Sequence, residues 1–166
     1  MNGKAHMLVN IGTGVGLVGL GYAYNLPPDY IAALAIGSVV GTVITPDYDF
    51  DRNLPKSIIG RIPLLGYAWN AFWSPYAKAV KHRSFISHSP FFSTTFRLLY
   101  LVVGGGAILY LIDLLAGTNL LYESIQLFDV TANPQFWTLV FLAWCVEDLS
   151  HLLLDTKLFR IFKRRK

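Results

Sequence analysis

Residues 91–112 read Phe91-Phe-Ser-Thr-Thr-Phe-Arg97-Leu-Leu-Tyr-Leu-Val-Val-Gly-Gly-Gly-Ala-Ile-Leu-Tyr-Leu-Ile112, twenty-two residues with one charge. A helix needs roughly 17–25 such residues to cross the hydrocarbon core of a bilayer. Three other apolar stretches follow the same pattern, at about 7–24, 30–45 and 136–154. The stretch at 30–45 is short, so it extends toward Pro46 or meets thinned lipid. Asn25-Leu-Pro-Pro-Asp29 joins the first two as a tight turn between antiparallel helices. Residues 1–24 are expected to be a retained span, because Tyr22-Ala-Tyr24 lacks the small residues of a signal-peptide cleavage site. The predicted fold class is therefore all-α: a single polytopic membrane domain over 1–166 with four transmembrane helices.

Composition points the same way. The chain is 54% hydrophobic and 14% charged, against about 45–50% and about 25% in soluble domains, and its mean hydropathy is +0.45. This excludes a disordered tail protein. A net charge of +4 does not make a nucleic-acid binder, since the apolar stretches leave little polar surface to carry a basic footprint. The one cysteine, Cys145, excludes an internal disulfide, and its apolar surroundings in sequence read as a packed small residue.

Charge placement sets the expected orientation, because Lys and Arg accumulate on the cytoplasmic side. Lys4, Arg52, Lys56, Arg61, Lys78, Lys81, Arg83, Arg97 and the six basic residues from Lys157 to Lys166 all fall on one side of a four-span arrangement. The opposite connections, 25–29 and 113–135, hold no Lys or Arg but carry Asp29, Asp113, Glu123 and Asp129. A multi-pass protein of the inner (plasma) membrane with both termini cytoplasmic follows. The segment 47–90 mixes basic residues with Ile58, Leu64, Tyr67, Trp69, Phe72, Trp73 and Tyr76. It is predicted to form interfacial helices on the cytoplasmic face, broken near Pro63 and Pro75. The basic tail 157–166 meets anionic lipid.

All four histidines, His6, His82, His88 and His151, lie at or near the cytoplasmic ends of spans. Asp47 and Asp49 follow the second span, and Asp148, His151 and Asp155 share one face of the last at i, i+3, i+7. Asp148 lies nine residues inside Lys157, about 14 Å along a helix. A carboxylate at that depth needs a polar cavity, a partner or a metal. Pairing with Arg97 is the structural alternative, while Glu147 is placed toward solvent or a partner helix. Lys81-His-Arg-Ser-Phe-Ile-Ser-His-Ser-Pro90 adds two imidazoles six residues apart, with Arg83 between them. Imidazoles and carboxylates together suit Zn²⁺ first, with Mn²⁺ or Fe²⁺ next, and their number allows one or two ions. The candidate ligands are His6, Asp47, Asp49, His82, His88, His151 and Asp155. Asp148 is the candidate general base, and Arg83 the residue to hold an anionic group such as phosphate.

Two lookalikes fall away. Gly14-Val-Gly-Leu-Val-Gly19 matches a dinucleotide fingerprint but follows no strand. Close helix packing through Gly12/Gly16 and Gly37/Gly41 is expected instead. Asp47-x-Asp49-x-Asp51 begins like a calcium loop, but Arg52 stands where glycine is needed and Ile58 where the bidentate Glu belongs. Gly104-Gly-Gly106 reads as a packing or kink site.

In these motifs the chain resembles the YdjM-like family of bacterial inner-membrane metal-binding proteins and metal-dependent hydrolases. The resemblance is carried, in order, by His6, Pro46-Asp-x-Asp49, the block from His82 to Ser89, and Asp148-x-x-His-x-x-x-Asp155. It implies membrane location, metal binding and, by analogy with zinc-dependent phospholipase C, hydrolysis. The expected function is metal-dependent hydrolysis of a phosphoester or lipid-like substrate at the cytoplasmic membrane face, with membrane lipids as partners. Two alternatives come from other classes. One is a divalent-ion transporter, for which the depth of Glu147 and Asp148 speaks. The other is a non-catalytic membrane adaptor whose His and Asp hold helices together.

Overall fold

The computed structural model describes residues 3–45, 47, 59–80 and 89–155, with side chains from His6 to Leu154 at the two ends. Among them are six α-helices, one 3₁₀ turn and no strand: α1 Gly3–Ala23, α2 Pro28–Val43, the 3₁₀ turn Ile59–Arg61, α3 Leu65–Ala79, α4 Pro90–Ala116, α5 Leu120–Leu127 and α6 Pro134–Asp155. The all-α expectation holds over these residues. Pro27 precedes α2, with Pro28 in its first turn, and Pro90 opens α4, positions where the missing N–H costs no helical bond.

Two of the four expected spans, Pro90–Ala116 and Pro134–Leu154, are helices long and apolar enough to cross a membrane. α2 is apolar but shorter. α1 has 21 residues, and its glycines, His6, Asn10 and Thr13 dilute its apolarity. No residue of the most apolar 18-residue stretch of α4 is buried by the described rest of the chain. Val102, Val103, Leu114 and Leu115 are each more than 60% exposed on it. An apolar surface of that extent calls for an apolar surrounding.

α2 packs along both α1 and α6, and α4 lies against α6. The α2–α6 approach is the tightest. A Cβ on Gly37 would stand 2.2 Å from the Val140 carbonyl oxygen and 2.7 Å from the Ala143 Cβ. A Cβ on Gly41 would stand 2.6 Å from the Glu147 Cβ. The expected Gly37/Gly41 contact is present. Gly12 and Gly16 are a correction: both face open space, and on α1 the close approach falls at Gly14 instead, two positions around the helix. Periodicity marked the right helices but could not choose among five glycines spaced every two or three residues.

α3 packs Trp73 and Tyr76 against Ile44, Trp144 and Tyr100. Phe72 reaches Gly104, halfway along α4, and the Tyr100 hydroxyl donates to the Phe72 carbonyl. Pro63 does stand at a break, in the turn before α3 where Leu64 takes φ +63°. Pro75 does not: α3 runs through it. One bond back to Ala71 is lost, and the aromatic contacts on either side hold the helix. α4 likewise passes through Gly104–Gly106 without interruption.

The connection expected at 113–135 contains a helix that periodicity missed, α5. Asp113 organises its start, accepting from the Leu120 and Leu121 N–H groups at 2.7 and 2.9 Å and from the Thr118 hydroxyl at 2.6 Å. Farther along, the Thr131 hydroxyl and N–H donate to Asp129 and hold its carboxyl below the usual carboxylate range.

The glycine geometry makes a direct prediction. Gly37→Ala forces backbone atoms apart and should cost about 1–3 kcal/mol. Gly12→Ala, in open space on a helix, should be neutral or gain up to about 1 kcal/mol. Thermal unfolding of the two variants in detergent measures the difference.

Candidate metal centre

The polar residues of α1, α2, α4 and α6 are gathered at one end of the bundle. His6, Asn10, Ser38, Thr94, Arg97, Glu147, Asp148 and His151 are all buried. The helix register accounts for this. α1 and α6 run antiparallel, so that His6 meets His151, Asn10 meets Ser150, and Gly14 meets Glu147. Spacings of four on one helix and three or four on the other keep each set on one face.

The His6 and His151 rings lie 4.3 Å apart, centroid to centroid, at 32° to each other. Asp47, just past the end of α2, places Oδ1 3.5 Å from His151 Nε2. His151 thus neighbours an imidazole from α1 and a carboxylate that follows α2. Among the described residues no group of three or more His, Cys, Asp or Glu side chains is arranged to hold a metal ion. Imidazole and carboxylate are donor types that suit Zn²⁺, Mn²⁺ or Fe²⁺, and of the candidate ligands the described residues include His6, His151 and Asp47. Asp49, His82, Arg83, His88 and the side chain of Asp155 lie outside the described residues.

One turn deeper on α6, Asp148 forms a buried ion pair with Arg97 of α4. The Thr94 hydroxyl contacts the same Oδ2 as Arg97 Nη2. Arg97 Nη1 donates to the Ile44 carbonyl at 3.0 Å, and its guanidinium carbon lies 5.5 Å from the centre of the Trp144 ring. The expectation for Asp148 as a base therefore meets a carboxylate already fastened through one oxygen. Its Oδ1 is buried and accepts no hydrogen bond among the described residues.

Two contributors escaped the reading of the sequence, Asn10 and Thr94. Asn10 accepts a hydrogen bond from Ser150 Oγ at 3.0 Å and ties α1 to α6 beside the histidines. Its signal was its place four residues after His6 in an apolar run. Thr94 carried no signal distinct from an ordinary polar residue. Glu147 was expected toward solvent or a partner helix, and the second holds: it is fully buried against α1 and α2. Cys145 is partly buried with a free thiol.

The ion pair should dominate stability. Arg97→Met leaves the Asp148 carboxylate buried without its cation and should cost about 3–5 kcal/mol. Adding Asp148→Leu should recover most of that loss, since a matched apolar pair needs no compensation. Chemical unfolding of the single and double variants tests the coupling.

A family model described as "Uncharacterized metal-binding protein (DUF2227)" matches residues 1–166. The match carries metal binding and names neither a hydrolase nor the YdjM-like family. No curated protein and no solved structure matches the chain.

Proposed function

The chain belongs to this metal-binding family, and from that premise we propose that it is a four-span protein of the inner membrane. Its divalent-metal site at the cytoplasmic face serves hydrolysis of a phosphoester or lipid-like substrate. The observation that supports the reading is that His151 neighbours both His6 of α1 and Asp47, which follows α2. In this reading Asp49, His82, His88 and Asp155 complete the ligand set, with Zn²⁺ first among the candidates and one or two ions held. A divalent ion there supplies Lewis-acid chemistry toward a phosphoryl oxygen. Arg83 binds the anionic group, for which a guanidinium offers paired donors. Asp148 Oδ1, which accepts no hydrogen bond among the described residues, is the oxygen that takes a proton from the attacking water.

Membrane residence is supported by the exposed apolar length of α4 and by the one-sided distribution of Lys and Arg. Four spans then require α1 and α2 to cross as well, α2 with its short length completed by the packing beneath it. A second reading, a membrane adaptor whose buried polar residues only hold helices together, is favoured by the engagement of Asp148 with Arg97 and Thr94.

Elemental analysis of the purified protein separates the two. One or two equivalents of Zn, Mn or Fe per chain, lost in His6→Ala/His151→Ala, support the metal centre. A metal-free, folded parent leaves the adaptor. Hydrolysis of phosphodiester and phospholipid substrates that survives His88→Ala/His151→Ala would remove the catalytic mechanism. For topology, green fluorescent protein fused after Lys166 should fluoresce, and alkaline phosphatase inserted near Thr131 should be active.

A further inference from the structure

A groove of about 360 Å³ lies between α1 and α2. Two close approaches fix the register of these antiparallel helices: a Cβ on Gly21 would meet Ile31 and Leu34, and one on Gly14 would meet Ser38. Continued along both helices, that register sets Asn10 level with Thr42 and Val18 level with Ala35, and all four line the groove. From Asn10 to Val18 it follows α1 for about 12 Å, at roughly 1.5 Å per residue. Its walls are apolar and open, with Val15 69% and Val39 63% exposed. The two ends differ. Val18 and Ala35 make the far end wholly apolar, while Asn10 and Thr42 bring polar groups to the near end.

The near end adjoins the histidines. Asn10 stands one helical turn from His6 on α1, and it accepts from Ser150, the neighbour of His151. A molecule lying in the groove with its polar end at Asn10 brings that end within about one turn, ~5.4 Å, of the His6–His151 pair. The length also selects the occupant. Half of a hydrocarbon core of about 30 Å is the depth of one leaflet's chains, and the groove follows most of that depth. A helix with its side chains is about 10–12 Å across and would ride on the walls, whereas an acyl chain is one methylene wide and lies between them. We propose that this groove is the acyl-chain subsite of the candidate hydrolytic site. The substrate is then a phospholipid that stays in the cytoplasmic leaflet and presents its phosphate at the His6–His151 end. The assignment as substrate rests on the hydrolytic reading given above; the lipid site itself does not.

Fit rather than hydrophobicity holds the chain, because lipid tails outside the groove are as apolar as its walls. Affinity therefore comes from the polar end. Asn10 Oδ1 is occupied by Ser150, which leaves its side-chain NH₂ to donate to an ester or phosphate oxygen. A chain that enters sideways between Val15 and Val39 never leaves the apolar layer, so presenting the headgroup requires no transfer of methylenes into water.

The test fills the groove. Val15→Trp and Val39→Trp each set a large ring on an exposed wall, one helix at a time, so that a misfolded variant leaves the other to report. Val103→Trp, on the exposed face of α4, controls for lipid that merely surrounds the protein. Native mass spectrometry of the full-length protein with added dioleoyl phosphatidylglycerol should show one lipid retained per chain in the parent and in Val103→Trp. Retention should fall about tenfold or more in Val15→Trp and Val39→Trp. In hydrolysis, the parent should prefer dioleoyl to dihexanoyl phosphatidylglycerol, and both groove variants should lose that preference through KM. Equal retention in all three variants would overturn the groove as a lipid site and leave surrounding lipid only. A dimer that the groove variants dissociate would overturn it too, by seating a second copy there. Hydrolysis without a chain-length preference would overturn the substrate assignment alone. A parent that retains lipid in the groove yet hydrolyses neither phospholipid would overturn the substrate assignment together with the hydrolytic reading, and keep the lipid site.

Discussion

The buried guanidinium of Arg97 sets the terms for the rest of this bundle. It contacts the Asp148 carboxylate of α6, the terminal carbonyl of α2 at Ile44 and the face of Trp144. One cation thus fixes two elements, α2 and α6, against α4. Removing two charges from water is costly, so such a pair persists where geometry is good and the remaining donors are occupied. The second amino group achieves this by accepting the task of a helix cap, for which a cation at a helix C-terminus is well suited.

That cap explains why α2 can be short. Arg97 stands seven residues inside α4, about 10 Å along its axis, and α2 ends at this level. Its last carbonyls would otherwise be orphaned among apolar side chains. Below the stop, Trp73 and Tyr76 of α3 fill the volume that a longer α2 would occupy, packed on Ile44 and Tyr100. The chain leaving α2 is thereby turned at Asp47, which lies next to His151. The position of a carboxylate in the candidate metal centre is a consequence of where a helix is told to end.

Much of this was legible in the sequence for a simple reason: charge is rare in the apolar runs. Asp148, His151 and Arg97 stand out against such a background, and the i, i+3 spacing on α6 puts the first two on one face. The Gly37/Gly41 contact was legible because a spacing of four puts both glycines on one face of α2. Gly12 and Gly16 were misjudged because glycine alone reports permission for close approach, and the partner helix decides which one uses it. The helix α5 was missed since eight residues give too few turns for periodicity, and Asp113, which starts it, looks like any loop acid. The partners of Asn10, Thr94 and Glu147 depend on interhelical register, which no single helix encodes.

Register also separates two kinds of chemistry on one helix. At the His151 end of α6 the neighbours are His6 and Asp47, a nitrogen-rich set for borderline metals. One turn earlier, at Glu147, the neighbours are Ser38 and Gly14, with oxygen alone on offer. Asp148 lies between them and is turned away to α4, where Arg97 cancels its charge. The ion pair therefore joins α4 to α6 and takes Asp148 out of both neighbourhoods, so that two adjacent residues of one helix serve different interhelical contacts.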